Sequence, residues 1–216
     1  ICIAPIVMVR RTKAEAEQTR HAVLDAAEHL FHAKGVSATS LSDIAAAAGV
    51  TRGAIYWHFR DKVDVFNSMM ERVTLPLEEL VNAAVNSSEG HALAGLRSVV
   101  LATMERIQHD EQVRHVFDIT RNRAAYVAEM QPVHERLTRT RNAFIAHTQK
   151  ALEREAQAQN TALLLPPEQA ALVLHTQIDG AIHLWLMTPT AFDLPSLGMA
   201  AFDVAVRGLG LNPQSL

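Results

Sequence analysis

The sequence predicts an all-α protein of about nine helices. Glycine and proline, the strongest helix breakers, are scarce at 9 and 8 of 216 residues. Apolar residues make up 49% of the chain and recur at helical spacing in segments separated by short polar breaks. These observations favour a small N-terminal domain of three helices followed by a larger helical domain.

The first three predicted helices carry clear start and stop signals. They run from Ala14 to Lys34, from a cap at Ser40 or Ser42 to Gly49, and from a cap at Thr51 to about Phe59. Serine and threonine oxygens accept hydrogen bonds from the free amides that open a helix, and glycine often ends one. The second and third helices, joined by a tight turn at Gly49, form a helix-turn-helix.

Six more helices are predicted after this head. Asp61 can cap a long fourth helix, which Pro76 should kink or divide because proline lacks an amide donor. The others are expected at residues 91–110, 111 to about 130, 132 to about 158, 167 to about 187 and 196–208.

The charge is divided unevenly along the chain. The net charge is −3, but residues 8–62 hold eight basic and six acidic side chains, and the remainder holds twelve and seventeen. A head at +2 on a body at −5 is typical of a DNA-binding domain attached to a domain with another task. We expect a DNA-binding domain at 8–62, a ligand-binding and dimerisation domain at 63–211, and a tail at 212–216. Residues 1–7 are expected to be a remnant that precedes the natural start at Met8.

Several function classes are disfavoured by the sequence. No apolar run approaches the roughly 20 residues of a membrane helix, and the single Cys2 is compatible with a reducing compartment, so we expect a cytoplasmic protein without membrane contact. No nucleophile elbow, phosphate loop or metal motif occurs, so neither an enzyme nor a cofactor is predicted. His175, Asp179 and His183 share a helix face at i, i+4 and i+8, but a cavity-lining role is favoured there over metal binding. His29 and His32 are interpreted as surface residues.

The third helix has an outer face that a core helix does not need. That face is polar and aromatic, as expected for a helix in a DNA major groove. Arg52 can donate two hydrogen bonds to a guanine edge, whereas Tyr56, His58 and Lys62 can reach phosphates. The full set of expected DNA-binding residues is Thr39, Ser40, Thr51, Arg52, Gly53, Ala54, Tyr56, Trp57, His58 and Lys62. Arg10, Arg11 and Lys13 form a short basic arm before them.

The stretch from Thr39 to Lys62, with its core Ala48-Gly49-Val50-Thr51-Arg52-Gly53-Ala54-Ile55-Tyr56-Trp57-His58-Phe59, resembles the DNA-binding signature of the TetR family of repressors. Within that family it is similar to the AcrR, TtgR and MtrR type of multidrug-efflux repressors. Near the end of the chain, Gln177-Ile178-Asp179-Gly180, Trp185 and Phe192-Asp193-Leu194 resemble the same subgroup.

The resemblance implies an effector cavity among the helices after the third. The corresponding residues are Val99, Val100, Thr103, Ile107, Phe117, Arg121, His175, Ile178, Asp179 and Ile182. Arg121 and Asp179 are the sharpest candidates, because a charge on an apolar helix is costly without a partner or a purpose. The alternative is that the two pair with each other as a structural ion pair.

Dimerisation follows from the eighth helix, which is apolar nearly all the way round and must be covered on both sides. Together with the last helix it can form a four-helix contact across a two-fold axis. The sequence therefore predicts a homodimeric repressor that binds a palindromic operator and is released by small hydrophobic or amphipathic effectors. The resemblance favours control of a multidrug efflux pump operon. The alternative is a metabolite sensor for a catabolic or biosynthetic operon, and the sign of regulation stays open.

Overall fold

A computed structural model describes residues 13–87, 92–123 and 130–213. Within these ranges the chain forms nine α-helices and a short π-helical turn, with no strand. The helices are α1 (Lys13–Lys34), α2 (Leu41–Ala47), α3 (Arg52–His58), α4 (Lys62–Ser87), α5 (Ala92–His109), α6 (Glu111–Asp118), α7 (Gln131–Ala158), α8 (Pro167–Met187) and α9 (Leu194–Gly208). The π turn spans Ile119–Arg123. None of the helices in these ranges is both long and apolar enough to cross a membrane. The all-α prediction is confirmed.

Capping hydrogen bonds explain where the second and third helices of the head (α1 to α3) begin. Ser40 rather than Ser42 caps α2: its hydroxyl accepts from the amide of Asp43, whose carboxylate accepts from the Ser40 amide, a reciprocal capping box. Thr51 caps α3 by accepting from the Ala54 amide. Gly49 has φ of +66°, the left-handed conformation that glycine adopts without a steric penalty.

A continuous apolar core fixes the orientation of α3 against α1. Ile55 and Phe59 are at most 2% exposed, as are Leu24, Phe31 and Ile44 of the neighbouring helices. Because one side of α3 is buried here, its opposite side must face outward. The same core continues through α4 into the body (α4 to α9).

The body departs from the predicted boundaries at three points. Helix α4 runs unbroken from Lys62 to Ser87 with Pro76 inside it, so of the two predicted outcomes, a kink or a division, the division is wrong. Asp61 caps α4 by accepting a hydrogen bond from the Asp64 amide at 2.7 Å. Helix α6 ends at Asp118 and passes into the π turn, short of the predicted residue 130, and residues 124–129 lie outside the described part. Helix α9 begins two residues early because Asp193 accepts from the Ser196 amide.

The π turn joins the head to the body. Its last carbonyl, that of Arg123, accepts a hydrogen bond from the amide of Val36 in the loop between α1 and α2, at 3.2 Å. The Arg123 side chain binds Asp118 at 3.2 Å. The predicted remnant at 1–7, Arg10 and Arg11 lie outside the described residues, and Lys13 opens α1.

Candidate nucleic-acid interface and effector site

The outer face of α3 is exposed and carries the predicted contact residues. Trp57 is 76% exposed and Tyr56 49%, although large aromatic side chains are normally buried. Thr51, Arg52 and Gly53 are also exposed. An exposed aromatic and basic face on the second helix of a helix-turn-helix has the chemistry that contacts base edges and phosphates.

A groove beside α3 extends this face. It has a volume of about 420 Å³ and is lined by residues 37–42 together with Arg52, Tyr56, Arg60, Asp61 and Lys62. The Arg52 guanidinium lies 6.0 Å from the centre of the Tyr56 ring. The Lys62 ammonium reaches the carbonyl of Ser37 at 3.4 Å, so Lys62 stands at the edge of the groove.

Four predicted contact residues also serve the local structure. Thr39 is 2% exposed, and its hydroxyl donates inward to the Gly35 carbonyl at 2.8 Å. The Ser40 hydroxyl is shared with Asp43 at 2.7 Å, an interaction that lowers the pKa of the Asp43 carboxyl. His58 is half-buried with its ring 4.9 Å from that of Trp57, and half-buried Ala54 belongs to the Thr51 cap.

Arg60 is a further cation on this surface that the sequence prediction missed. Its side chain is 86% exposed and lies 3.4 Å from Asp64, and it lines the same groove. The sequence held a usable signal, because Arg60 falls two residues before Lys62 in the polar turn after Phe59. A cation in the turn that follows a recognition helix is well placed for a phosphate.

The effector-site prediction centres on an ion pair. Arg121 of the π turn donates from Nη2 to Asp179 Oδ1 of α8 at 2.6 Å, so the two predicted charges are bound to each other. The Arg121 guanidinium also lies 4.9 Å from the centre of the Phe117 ring, a cation–π distance. One turn before Asp179 on α8, the His175 ring lies 5.7 Å from that of Phe144 of α7.

This cluster contains two unsatisfied buried nitrogens. Arg121 Nε and His175 Nδ1 are inaccessible to solvent and have no hydrogen-bond partner among the described residues. Burial lowers the pKa of His175; Asp179 opposes this effect, and Arg121 and Arg141 add to it. Buried polar nitrogens without partners are uncommon in folded proteins and call for a physical reason.

The apolar members of the predicted effector site are largely buried. Thr103 is half-buried and donates to the Val99 carbonyl at 2.8 Å. His183 is exposed, and the described residues do not bring the ligand atoms of His175, Asp179 and His183 together. The residues at most 7% exposed are Val99, Val100, Ile107, Ile178 and Ile182.

Comparison with known families decides what this arrangement is. Residues 23–69 match the model of the bacterial regulatory proteins of the tetR family, and residues 91–209 match the C-terminal region of MAATS-type transcriptional repressors. The chain belongs to the TetR family of transcriptional regulators. The resemblance seen in the Thr39–Lys62 stretch is thereby confirmed.

Several relatives match this TetR-family regulator in sequence over nearly the whole of its length. The repressor BepR of Brucella suis is 37% identical over 201 residues, covering 93% of this chain and 96% of BepR. The crystal structure of NalD, the secondary repressor of the MexAB-OprM multidrug efflux pump in Pseudomonas aeruginosa, is 35% identical with a TM-score of 0.81, covering 91% and 98%. SmeT, the repressor of the Stenotrophomonas maltophilia pump SmeDEF, is similar in its complex with triclosan, at 31% identity and a TM-score of 0.77 over 88% and 90%.

The last two helices of this regulator expose an apolar surface, here called the α8–α9 face. On α8, Leu184 and Met187 are 57% and 67% exposed, and on α9 Val204 is 65% exposed. Further exposed apolar side chains on the same two helices are Leu172, Val173 and Leu197. Large exposed apolar patches are typical of contact surfaces.

Proposed function

We propose that this protein is a ligand-responsive transcriptional repressor that binds a palindromic operator as a homodimer and controls a multidrug efflux pump operon. The observation that carries the DNA-binding half is the exposed outer face of α3. It presents Arg52 and Tyr56 beside the cations of the groove while Ile55 and Phe59 anchor the helix from below.

The dimer is proposed to form through the α8–α9 face. Its side chains occupy one stripe of each helix, and a two-fold axis would pack the stripes of two chains together as a four-helix contact. Two recognition helices then have to lie about 34 Å apart to enter successive major grooves. An operator with two inverted half-sites is the DNA that matches such a dimer.

Release is proposed to follow effector binding at the Arg121–Asp179 cluster. The cluster offers an ion pair that can open, two nitrogens that lack partners among the described residues, and the apolar rings of Phe117 and Phe144. Such a lining suits small amphipathic molecules, which need a few polar anchors in an apolar site. An effector shifts the dimer off DNA only through its greater affinity for the released form.

The efflux assignment is supported by the relatives, since NalD and SmeT are repressors of multidrug efflux pumps. The test is footprinting of the purified dimer on the DNA upstream of its own gene and of the neighbouring genes, with and without triclosan. Two protected half-sites at a pump promoter, lost on adding triclosan, are expected. Protection only at promoters of metabolic enzymes, unaffected by triclosan, would point to a metabolite sensor instead.

A further inference from the structure

The seam between α1 and α6 holds a group of histidines and carboxylates that neither DNA binding nor effector binding uses. Glu28 and His29 are consecutive on α1, and His115 comes from α6. His32 of α1 is partly exposed, as a surface residue is, and its ring stacks on that of His115 at 4.0 Å between centroids. The seam therefore concentrates three histidines at the junction of head and body.

Three of these side chains already converge. One ligand atom each from Glu28, His29 and His115 lies within 4.8 Å of the other two. Glu28 is 4% exposed, and its Oε1 lies 3.0 Å from His115 Nδ1. The carboxylate is held in place by Gln112, which donates to Oε2 at 3.0 Å. Two of the three groups are thus fixed, whereas His29 is exposed and can move.

The charge around the seam favours a cation. Arg72 lies 3.7 Å from Glu28 Oε2 and satisfies part of its charge. Among the ion pairs of the described residues, the network connected to Glu28, His32 and His115 contains four carboxylates and two guanidinium groups, a difference of two negative charges when the histidines are neutral. The carboxylates are those of Asp25, Glu28, Glu111 and Asp118, and the guanidinium groups are those of Arg72 and Arg123.

We propose that Glu28, His29 and His115 form a binding site for a divalent transition-metal ion of the zinc class. Nitrogen and carboxylate oxygen are the ligands such an ion takes, and three protein ligands with a fourth, open position are a common arrangement. A tetrahedral ion with bonds of about 2.0–2.1 Å needs ligand atoms about 3.4 Å apart. The exposed His29 side chain can close the remaining distance by changing rotamer.

The other nitrogen of the His115 ring also has a partner. Glu111 Oε1 lies 3.6 Å from His115 Nε2, on the side of the ring away from Glu28, and the Glu111 side chain is 72% exposed. This carboxylate can orient the imidazole with Nδ1 toward the ion, and a water can complete the coordination. An ion held this way ties α1 to α6, so it restrains the movement of the head relative to the body.

The test is metal binding by the tag-free, full-length protein after chelator treatment. Zn²⁺ is titrated by calorimetry, and Co²⁺ is used as a spectroscopic probe because its visible absorption reports tetrahedral coordination. We expect one ion per chain in the wild type. His29→Ala and His115→Ala are each expected to weaken binding at least about tenfold.

The matched control is His21→Ala, which removes an exposed α1 histidine that pairs with Glu17 at 3.4 Å, outside the seam. It should bind Zn²⁺ as the wild type does. Because His29 is exposed, His29→Ala should fold even if His115→Ala does not. No uptake by the wild type, or equal uptake by His29→Ala, would show adventitious surface binding only and overturn the proposal. DNA plays no part in this measurement, so its result is independent of the proposed repressor function.

Discussion

Arg121 and Asp179 are bound to each other across 2.6 Å, one from the π turn and one from α8. The pair is partly open to solvent, with side chains 23% and 46% exposed. Ion pairs with such access to water contribute at most about 1 kcal/mol to stability. Its significance for the proposed function is that an effector reaching Arg121 must compete with Asp179.

That competition predicts opposite effects of two substitutions. Asp179→Asn should lower the triclosan concentration that releases half of the operator DNA. The asparagine amide binds the Arg121 guanidinium more weakly than a carboxylate does, so the effector displaces it more easily. Arg121→Gln should raise this triclosan concentration, because the guanidinium proposed to bind the effector is removed. Fluorescence anisotropy of labelled operator measures both. Equal shifts in the same direction would show that the pair is purely structural.

On the proposed DNA-binding face, we expect some residues to determine the preference for operator DNA and others to determine the affinity for any DNA. Arg52→Ala should remove the preference for operator over random DNA, because a base-edge contact is lost. Lys62→Ala and Arg60→Ala should weaken binding to both DNAs and reduce the slope of log K against log salt by about 1 each. Gel-shift titrations over a range of salt concentrations measure these effects, with exposed Lys150→Ala on α7 as the control. Wild-type operator preference in Arg52→Ala would refute the recognition-helix assignment.

Two helical glycines predict contrasting effects of alanine. A Cβ on Gly198 of α9 would overlap Met104, which is fully buried in α5, whereas a Cβ on Gly180 of α8 would meet nothing within the chain. The overlapping atoms are the end of the Met104 side chain, which has little room to move because Met104 is fully buried. Gly198→Ala should therefore cost about 1–3 kcal/mol of unfolding free energy through overpacking, offset in part by the gain of up to about 1 kcal/mol from the helix preference of alanine. Chemical denaturation provides the measurement.

Gly180→Ala tests the proposed dimer. Within one chain it should be neutral or stabilising, by up to about 1 kcal/mol, since alanine favours a helix. If two α8 helices approach closely at Gly180, the added methyl group should instead weaken the dimer. Analytical ultracentrifugation distinguishes these results, and unchanged dimer affinity would place Gly180 away from the contact.

His175 predicts a pH dependence of stability. Burial lowers its pKa in the folded chain below the usual 6.5, so the unfolded chain binds more protons as the pH falls through 6.5. The contribution of His175 to the free energy of unfolding therefore has its full value above about pH 6.5. It declines as the pH falls below 6.5, until the pH passes the pKa of His175 in the folded chain. His175→Asn should flatten the curve of unfolding free energy between pH 7 and 5.5. His183→Asn, on the exposed side of the same helix, is the matched control.

The head was predictable because its signals are local. Ser40, Gly49 and Thr51 act within four residues of their own positions, and the buried Ile55 and Phe59 follow from helical spacing. The early end of α6 was not predictable, because the π turn depends on partners distant in sequence: Asp179 for Arg121, and Val36 for Arg123. The seam histidines were missed for the same reason, since His115 lies more than eighty residues beyond His29.

The similarity near the end of the chain has a structural explanation. Trp185 is 3% exposed, and its indole donates to the Phe192 carbonyl at 3.1 Å. Asp193 caps α9 and accepts from Gln108 at 2.8 Å; these hydrogen bonds lower its pKa to about 2. The short motif resembling the efflux repressors therefore fixes the loop between α8 and α9.

The π turn contacts both the body and the head through residues that lie close together in the chain. Arg121 is bound to Asp179 of the body, and the carbonyl of Arg123 accepts a hydrogen bond from the Val36 amide of the head. Only two residues of backbone separate these attachments. A π turn carries one residue more than an α turn, and rewinding it to α geometry rotates whatever follows by about 100°. For the proposed function this means that a single change of winding in the π turn would move both attachments at once, without a long relay of side chains.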